Sequence, residues 1–309
     1  MNENVPDART RCGFVAVLGG PNAGKSTLVN ALVGSKVSIV TPRAQTTRSI
    51  VRGIAMSEQT QIIFLDTPGI FDAKKRFERA IVSAAWSGAN DADVVLLVID
   101  AAKESSRQGF SSANKKIFAQ LSKLGSKALL VLNKIDICEK VDLLNLTAMV
   151  NDLNIFSEIF MVSALTGDGL EKIRLHLTGT LSQGPWMFPE DDISDMPLRL
   201  LSAEITREKL FFRLRQELPY SCAVEVERWE EKNDGSVWIE QTIYVSRESH
   251  RPIVLGQGGK NIKAIGASAR IEFEKYVNRR VHLFLHVKVN ERWLDERRFY
   301  SSWGLDFNA

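Results

Sequence analysis

The sequence predicts an α/β protein in two parts, a larger domain on a mostly parallel sheet followed by a smaller α+β domain. Three observations carry this. Short Val/Ile/Leu runs recur through about residue 181 with helical stretches between them. A Pro/Gly/acid-rich segment then breaks the pattern. The remainder combines a hairpin signal, one long helical stretch and an alternating strand.

Taken in order, the runs are "CGFVAVLG" (12–19), "QIIFLD" (61–66), "DVVLLVID" (93–100), "KALLVLN" (127–133) and "EIFMVSA" (158–164). Short runs of this kind, with longer segments between them, read as strands of a sheet flanked by helices, and ligands of such sheets bind beyond the carboxyl ends of the strands. Every polar motif of the first domain follows directly after such a run. "SQGPWMFPEDDISDMP" (182–197), with three prolines, one glycine and four acidic residues, reads as a linker. Beyond it, "SCAVEVERWEE" (221–231) and "SVWIEQTIYVSRE" (236–248) flank the hairpin turn Asn233-Asp234-Gly235. A glycine loop, the helical stretch 260–277 and the strand "VHLFLHVKV" (281–289) complete the small domain. The expected boundaries are 10–181, a linker at 182–200, and 201–305.

Composition excludes several classes. With 309 residues, 44% hydrophobic and 25% charged, the chain has the balance of a soluble globular protein. Net charge is +3 from 40 basic and 37 acidic residues, so any electrostatic footprint is local. Cys12, Cys138 and Cys222 are far apart and form no CxxC pair, against a disulfide framework or zinc site and in favour of a reducing compartment. No run approaches the roughly 18 apolar residues of a membrane span, and the polar start "MNENVPDARTRCG" has no apolar signal region. The expectation is a cytoplasmic protein.

Gly19-Gly20-Pro21-Asn22-Ala23-Gly24-Lys25-Ser26-Thr27 has the spacing of a phosphate-binding loop between a strand and a helix. Its glycines let several N–H groups point at one anion, and the helix adds its positive end. Lys25 would reach the terminal phosphates, and the Ser26 hydroxyl would bind Mg²⁺. Asn133-Lys134-Ile135-Asp136 stands where a base-reading loop belongs. A carboxylate there accepts from guanine N1–H and the exocyclic amine, whereas adenine would leave a buried Asp136 unpaired, at a cost of about 1–3 kcal/mol or more. The Ala164 amide in Ser163-Ala164-Leu165 would back the base.

Asp66-Thr67-Pro68-Gly69 closes another run. There Asp66 would hold Mg²⁺ through water, and the Gly69 amide would sense the γ-phosphate. "TPRAQTTRS" (41–49) suits a mobile loop offering a threonine to Mg²⁺. Thr47 is the choice and Thr46 the alternate, since spacing does not separate them. Lys25, Thr47 and Gly69 are the catalytic candidates; Ser26, Thr47 and Asp66 are the metal candidates.

Together "GGPNAGKS", the Thr-Thr-Arg loop, "DTPG", "NKID" and "SAL" resemble the translation-factor-related small GTPases. "ELPYSCAVEVERWEE", "PIVLGQGGKNIKAIGASAR" and the ending "RRFYSSWGL" narrow the resemblance to the Era family, over about residues 10–305. The resemblance implies a P-loop GTPase domain joined to a type II KH domain, with GTP/GDP and Mg²⁺ as cofactors. It further implies single-stranded RNA at the 3′ end of 16S ribosomal RNA as the ligand, and a role in small (30S) subunit maturation. A monomer is expected, and peripheral contact with the inner membrane is left open.

In a KH domain the loop Gly256-Gln257-Gly258-Gly259 clamps the backbone of about four nucleotides, with Lys260 and Lys263 beside it. From Arg251 to Lys288 eight basic residues outnumber two acidic ones, a local +6. Of Ile253, Val254, Ile262 and Ile265, at least half are expected to pack the core rather than line a base groove. Lys74, Lys75, Arg76 and Arg79 read as a solvated helix face, and His282 and His286 share one strand face without metal-ligand spacing. Ile70 and Phe71 follow Gly69, where Ras-type enzymes carry a water-orienting glutamine, so slow intrinsic turnover is expected. The alternative from another class is a constitutive RNA-binding protein whose nucleotide domain is chiefly structural. The paired Asn133 and Asp136 disfavour an ATP-using P-loop kinase, and the glycine-loop tail disfavours a GTPase of transfer-RNA modification or membrane remodelling.

Overall fold

The computed structural model describes residues 10–43, 46–107, 109–123, 128–215 and 217–309. The polar start and the middle of the 41–49 loop, read above from sequence, lie outside them. The chain divides into two compact units, Met1–Asp195 with Ser301–Ala309, and Met196–Tyr300.

The first unit runs β1 (Arg11–Gly19), α1 (Lys25–Val33), β2 (Val51–Ser57), β3 (Thr60–Asp66), α2 (Arg76–Asn90), β4 (Val94–Asp100), α3 (Ala101–Ser105), α4 (Ser112–Leu121), β5 (Ala128–Asn133), α5 (Lys140–Asn151), β6 (Phe156–Val162) and α6 (Leu170–Thr180). Its sheet has the order β2-β3-β1-β4-β5-β6, parallel throughout except for β2. The register pairs Val17 with Asp66, Gly19 with Val98 and Asp100 with Asn133, which brings the polar strand ends to one edge. Leu18, Leu97, Ile99, Leu130 and Leu132 pack with Ile117, Phe118, Leu143 and Leu146 from α4 and α5. The runs at β1, β3, β4 and β5 are strands with both faces largely covered, which selects continuous apolar sequence, while β6, at the sheet edge, leaves several residues exposed.

Two features depart from the sequence reading. β2 is an antiparallel edge strand that no run announced: its turn to β3 is Glu58-Gln59, with Glu58 at φ 52°, in place of a glycine signal. Within it Gly53 is required, since a Cβ there would stand 2.8 Å from Val33 Cγ2 on α1. The expected linker does not start at 182, because residues up to Asp195 belong to the first unit. Gln183 bridges to Arg11 and Ser194 to Gly53, and the Ile54 amide donates to Ile193 at 2.9 Å. The fully buried Gln61 side chain accepts the Met187 and Phe188 amides at 2.9 and 3.0 Å. The segment thus pairs backbone groups that an open sheet edge leaves bare.

The second unit runs α7 (Leu198–Arg213), β7 (Cys222–Glu231), β8 (Val237–Val245), α8 (His250–Leu255), α9 (Lys260–Val277) and β9 (Val281–Val289), then enters α10 (Arg297–Ser302). This α-β-β-α-α-β order is the one expected of a type II KH domain. β7 pairs antiparallel and β9 parallel with β8. The hairpin turn forms where expected: Gly235 has φ 79°, and Asp234 Oδ1 accepts the Ser236 amide at 2.9 Å. Leu201 and Ile205 of α7 and Ala269 and Phe273 of α9 cover Val237 and Ile239. Val254 and Ile265 are buried in the neighbouring cluster, while Ile253 is exposed.

Phe273 is 2% exposed and meets the Trp229 ring edge-on at 6.0 Å. Phe273→Ala is expected to destabilise the second unit by about 3–5 kcal/mol. Urea unfolding followed by circular dichroism checks this, through a lowered midpoint.

Candidate nucleotide site and nucleic-acid interface

β1 ends at Gly19, and the loop to α1 lies against the neighbouring strand ends. A Cβ on Gly19 would fall 2.3 Å from the Val98 carbonyl oxygen, and one on Gly24, at φ 94°, would fall 2.2 Å from Asn133 Nδ2. Only glycine admits both the turn and that approach. Lys25, 6% exposed, donates from Nζ to the carbonyls of Gly19 and Gly20 at 3.1 and 3.0 Å. Burial lowers its pKa to about 8, and the Asp66 carboxylate opposes that shift. A bound phosphate would act in the same sense as Asp66 and favour the ammonium.

Ser26 and Thr47 lie Oγ to Oγ1 at 3.0 Å. Thr46 instead turns into its own loop, donating to the Arg43 carbonyl at 3.0 Å and meeting Thr41 Oγ1 at 2.6 Å. Asp66 is fully buried, and neither carboxylate oxygen has a hydrogen-bond partner of good geometry. Burial pushes its pKa up; the nearby Ser26 and Ser38 hydroxyls, the Lys25 ammonium and the Thr47 hydroxyl oppose that. A buried carboxylate beside the Ser26 and Thr47 hydroxyls, with Ser38 near, is a hard-oxygen donor set of the kind Mg²⁺ takes. These residues fit the ion.

Thr67 holds the turn after β3 in place, its hydroxyl donating to the Val17 carbonyl at 2.7 Å inside the core. Pro68 follows, and at Gly69 a Cβ would approach Pro21 N at 3.1 Å, so this turn abuts the phosphate loop. The Ile70 amide donates to the Gly19 carbonyl at 3.0 Å, and its side chain is in the core. Pro21, Asn22, Thr27 and Gly69 share one open cleft with Lys25, Ser26 and Thr47.

The loop after β5 differs from expectation in one role. Asn133, 2% exposed, ties two loops together: Nδ2 donates to the Ala23 carbonyl at 2.9 Å, and Oδ1 accepts the Ala164 amide at 3.0 Å. The Ala164 amide, expected to back the base, is therefore already bonded to Asn133. Ser163 holds the same turn through the Thr166 amide, at 3.2 Å from its Oγ. Lys134, at φ 69°, is fixed by an ion pair to Asp100 at 2.6 Å. Asp136 is exposed rather than buried. Asp100 was missed from sequence, although its position at the carboxyl end of a buried strand was a usable signal.

In the second unit Gly256, Gly258 and Gly259 have φ of 72°, 58° and 76°. At Gly256 a Cβ would meet Asn261 N at 2.9 Å, so the glycine loop lies directly on the start of α9. Gln257, Lys260 and Lys263 are exposed, and neither lysine has an ion pair among the described residues. The local +6 is reduced in space. Arg251 pairs with Glu248, Arg270 with Glu274, Arg279 with Glu231 and Lys288 with Glu227, at 3.6, 2.9, 3.1 and 3.5 Å. Three of those glutamates lie outside the stretch counted. His282 and His286 share the open face of β9, as their spacing required, and no metal-ligand cluster occurs among the described residues.

A phosphate loop beside a carboxylate-bearing base loop, both on one parallel-sheet edge, defines the class of P-loop GTPases, here with a KH unit attached. A family model described as 50S ribosome-binding GTPase matches residues 14–134, and a KH domain model matches 217–294. GTPase Era of Rhizobium meliloti is 53% identical over 298 residues, 96% of this chain and 94% of that protein. GTPase Era of Afipia carboxidovorans is 51% identical over 310 residues, 99% of each. A solved structure of Era with MgGDPNP and nucleotides 1506–1542 of 16S ribosomal RNA superposes with a TM-score of 0.89 at 38% identity, over 96% of this chain and 99% of that one. An Aquifex aeolicus Era variant bound to GDP and AlF4⁻ matches equally well, at a TM-score of 0.89 and 38% identity. The chain belongs to the Era family of GTPases.

Asn133→Ala would remove both clasps and leave the buried Ala164 amide and Ala23 carbonyl unpaired. GTP and GDP affinity are expected to fall together by about tenfold or more, from roughly 1–3 kcal/mol per unmet group. Equilibrium titration with both nucleotides checks this.

Proposed function

We propose that this chain is a GTP-hydrolysing switch that binds single-stranded RNA near the 3′ end of 16S ribosomal RNA and assists maturation of the small (30S) ribosomal subunit. The observation that carries the reading is the convergence of Ser26, Thr47 and the bare carboxylate of Asp66 beside the glycine loop. Its RNA half is supported by the solved Era complex, whose ligand is that stretch of ribosomal RNA.

In this reading the amides of Gly19 to Thr27 and the Lys25 ammonium cradle the phosphates, and the helix α1 adds its positive end. Mg²⁺, held through Ser26, Thr47 and Asp66, would supply charge neutralisation at the β- and γ-phosphates. Gly69 senses the γ-phosphate through its amide, and Thr47, already 3.0 Å from the Ser26 hydroxyl, is engaged when that phosphate is present. Asp136 reads guanine, with Lys134 held clear of it by Asp100. Because Ile70 is packed in the core, catalysis rests on positioning and electrostatics without a side chain to orient water from that place, and turnover is slow.

The glycine loop of the second unit clamps the RNA backbone, and Lys260 and Lys263 neutralise its phosphates. The chain works as a cytoplasmic monomer on the 30S subunit or its precursor. No helix among the described residues is long and apolar enough to cross a membrane.

Cross-linking in cell extract, with the chain held in GDP or a non-hydrolysable GTP analogue, tests the switch. A site near the 16S 3′ end is expected with the analogue and is expected to fade with GDP; identical RNAs in both states would instead mark a constitutive RNA binder with a structural nucleotide domain. Lys260→Ala and Lys263→Ala should each weaken RNA binding and flatten its log–log salt dependence by about 0.7. An unchanged slope would remove those lysines from the phosphate contacts.

A further inference from the structure

The ending "RRFYSSWGL" carries a feature that the nucleotide chemistry does not use. Residues Ser301–Ala309 group with the first unit, although the KH unit precedes them in the chain. Trp303 and Leu305 are 5% and 7% exposed. The Trp303 ring centroid lies 5.5 Å from that of Phe77, and the Arg48 guanidinium lies 5.3 Å from Trp303 and 5.6 Å from Phe77. A second contact of the same kind places Arg76 4.9 Å from the Phe307 ring.

Arg48 is 4% exposed, so its charge is held in a desolvated aromatic cage rather than in water. A planar, weakly hydrated guanidinium suits such a cage far better than an ammonium. The two walls have different origins. Phe77 stands on the first turn of α2, shortly after the Asp66–Gly69 turn, and Trp303 comes from the end of the chain. Arg48 itself follows Thr47, whose hydroxyl lies 3.0 Å from that of Ser26.

We propose that Trp303 is a positioning residue for the GTP state: by closing the cage on Arg48 it holds the adjoining Thr47 at the Ser26–Asp66 cluster. The proposal rests on the reading of Thr47 as the threonine engaged when the γ-phosphate is present. Ordering that loop opposes GTP binding, and a cage that orders it beforehand lowers the opposition. GDP makes no demand on Thr47, so the cage acts on one nucleotide state and not the other, as a switch contact must. The carboxyl terminus thereby becomes part of the switch loop's support.

The test titrates the full chain with fluorescent GDPNP and fluorescent GDP in excess Mg²⁺. Trp303→Ala is expected to weaken GDPNP by about tenfold while GDP stays within about twofold. Trp303→Phe, which keeps a ring, should recover most of the loss, and Arg48→Lys, which keeps the charge but not the planar fork, should reproduce it. An unchanged GDPNP-to-GDP affinity ratio in Trp303→Ala, or equal weakening of both nucleotides, overturns the proposal, because a merely structural role would not move that ratio. Should Trp303→Ala fail to fold, the same ratio in Arg48→Lys decides. Thr47→Ala separates the two readings. If it lowers the ratio and the cage variants do not, the cage falls and the switch stands; if it too leaves the ratio unchanged, both fall.

Discussion

Everything in the first unit depends on the parallel register of five strands. Each crossover returns the chain to the same end of the sheet, so the residues that terminate β1, β3, β4, β5 and β6 become neighbours although they are up to about 150 positions apart. The core fills both faces and leaves only this edge free for polar groups. Gly19, Asp66, Asp100, Asn133 and Ser163 all lie there for that one reason. The turns then lock to one another: Thr67 to Val17, Ile70 to Gly19, and Asn133 to both Ala23 and Ala164.

That edge holds two buried ionisable groups whose charged forms burial disfavours. Lys25 is buried against carbonyls with its pKa lowered, and Asp66 is buried with bare oxygens and its pKa raised. Each is costly in isolation, and in the proposed function each is offset by a ligand, phosphate at Lys25 and a hard cation at Asp66. The fold carries this unfavourable arrangement because a large apolar core surrounds it. Arg48 is a buried charge of a different kind, set against two rings supplied from within the same unit.

The second unit applies the same logic to a different ligand. Three glycines there have positive φ, and at Gly256 the backbone lies so close to the start of α9 that a side chain would collide with Asn261. Charge pairing then selects among its cations. Arg251, Arg270, Arg279 and Lys288 are held by glutamates, while Lys275, Arg280 and, beside the loop, Lys260 and Lys263 are exposed and unpaired among the described residues. A count along the sequence cannot separate these two groups, since most of the neutralising glutamates come from other segments.

The sequence by itself determined the fold class, because continuous apolar runs and an Asn-Asp-Gly turn are local signals of buried strands and hairpins. It also marked the glycine-rich, Asn-Lys-Ile-Asp and Gly-Gln-Gly-Gly loops at the places where the structure has loops, because such spacing is set by contiguous backbone geometry. What it did not determine was whatever depends on partners far along the chain. β2 has no glycine turn and was visible only through its pairing with β3. The segment up to Asp195 reads as a linker until its amides are seen bonded to Gln61 and Ile54. The tertiary structure alone turned Thr46 away from Ser26 and Thr47 toward it, bonded the Ala164 amide to Asn133, and left Asp136 exposed. It also brought Trp303 to Arg48 across some 250 residues of sequence. Spacing along a chain encodes what neighbours in sequence do together; only the fold decides which distant groups meet.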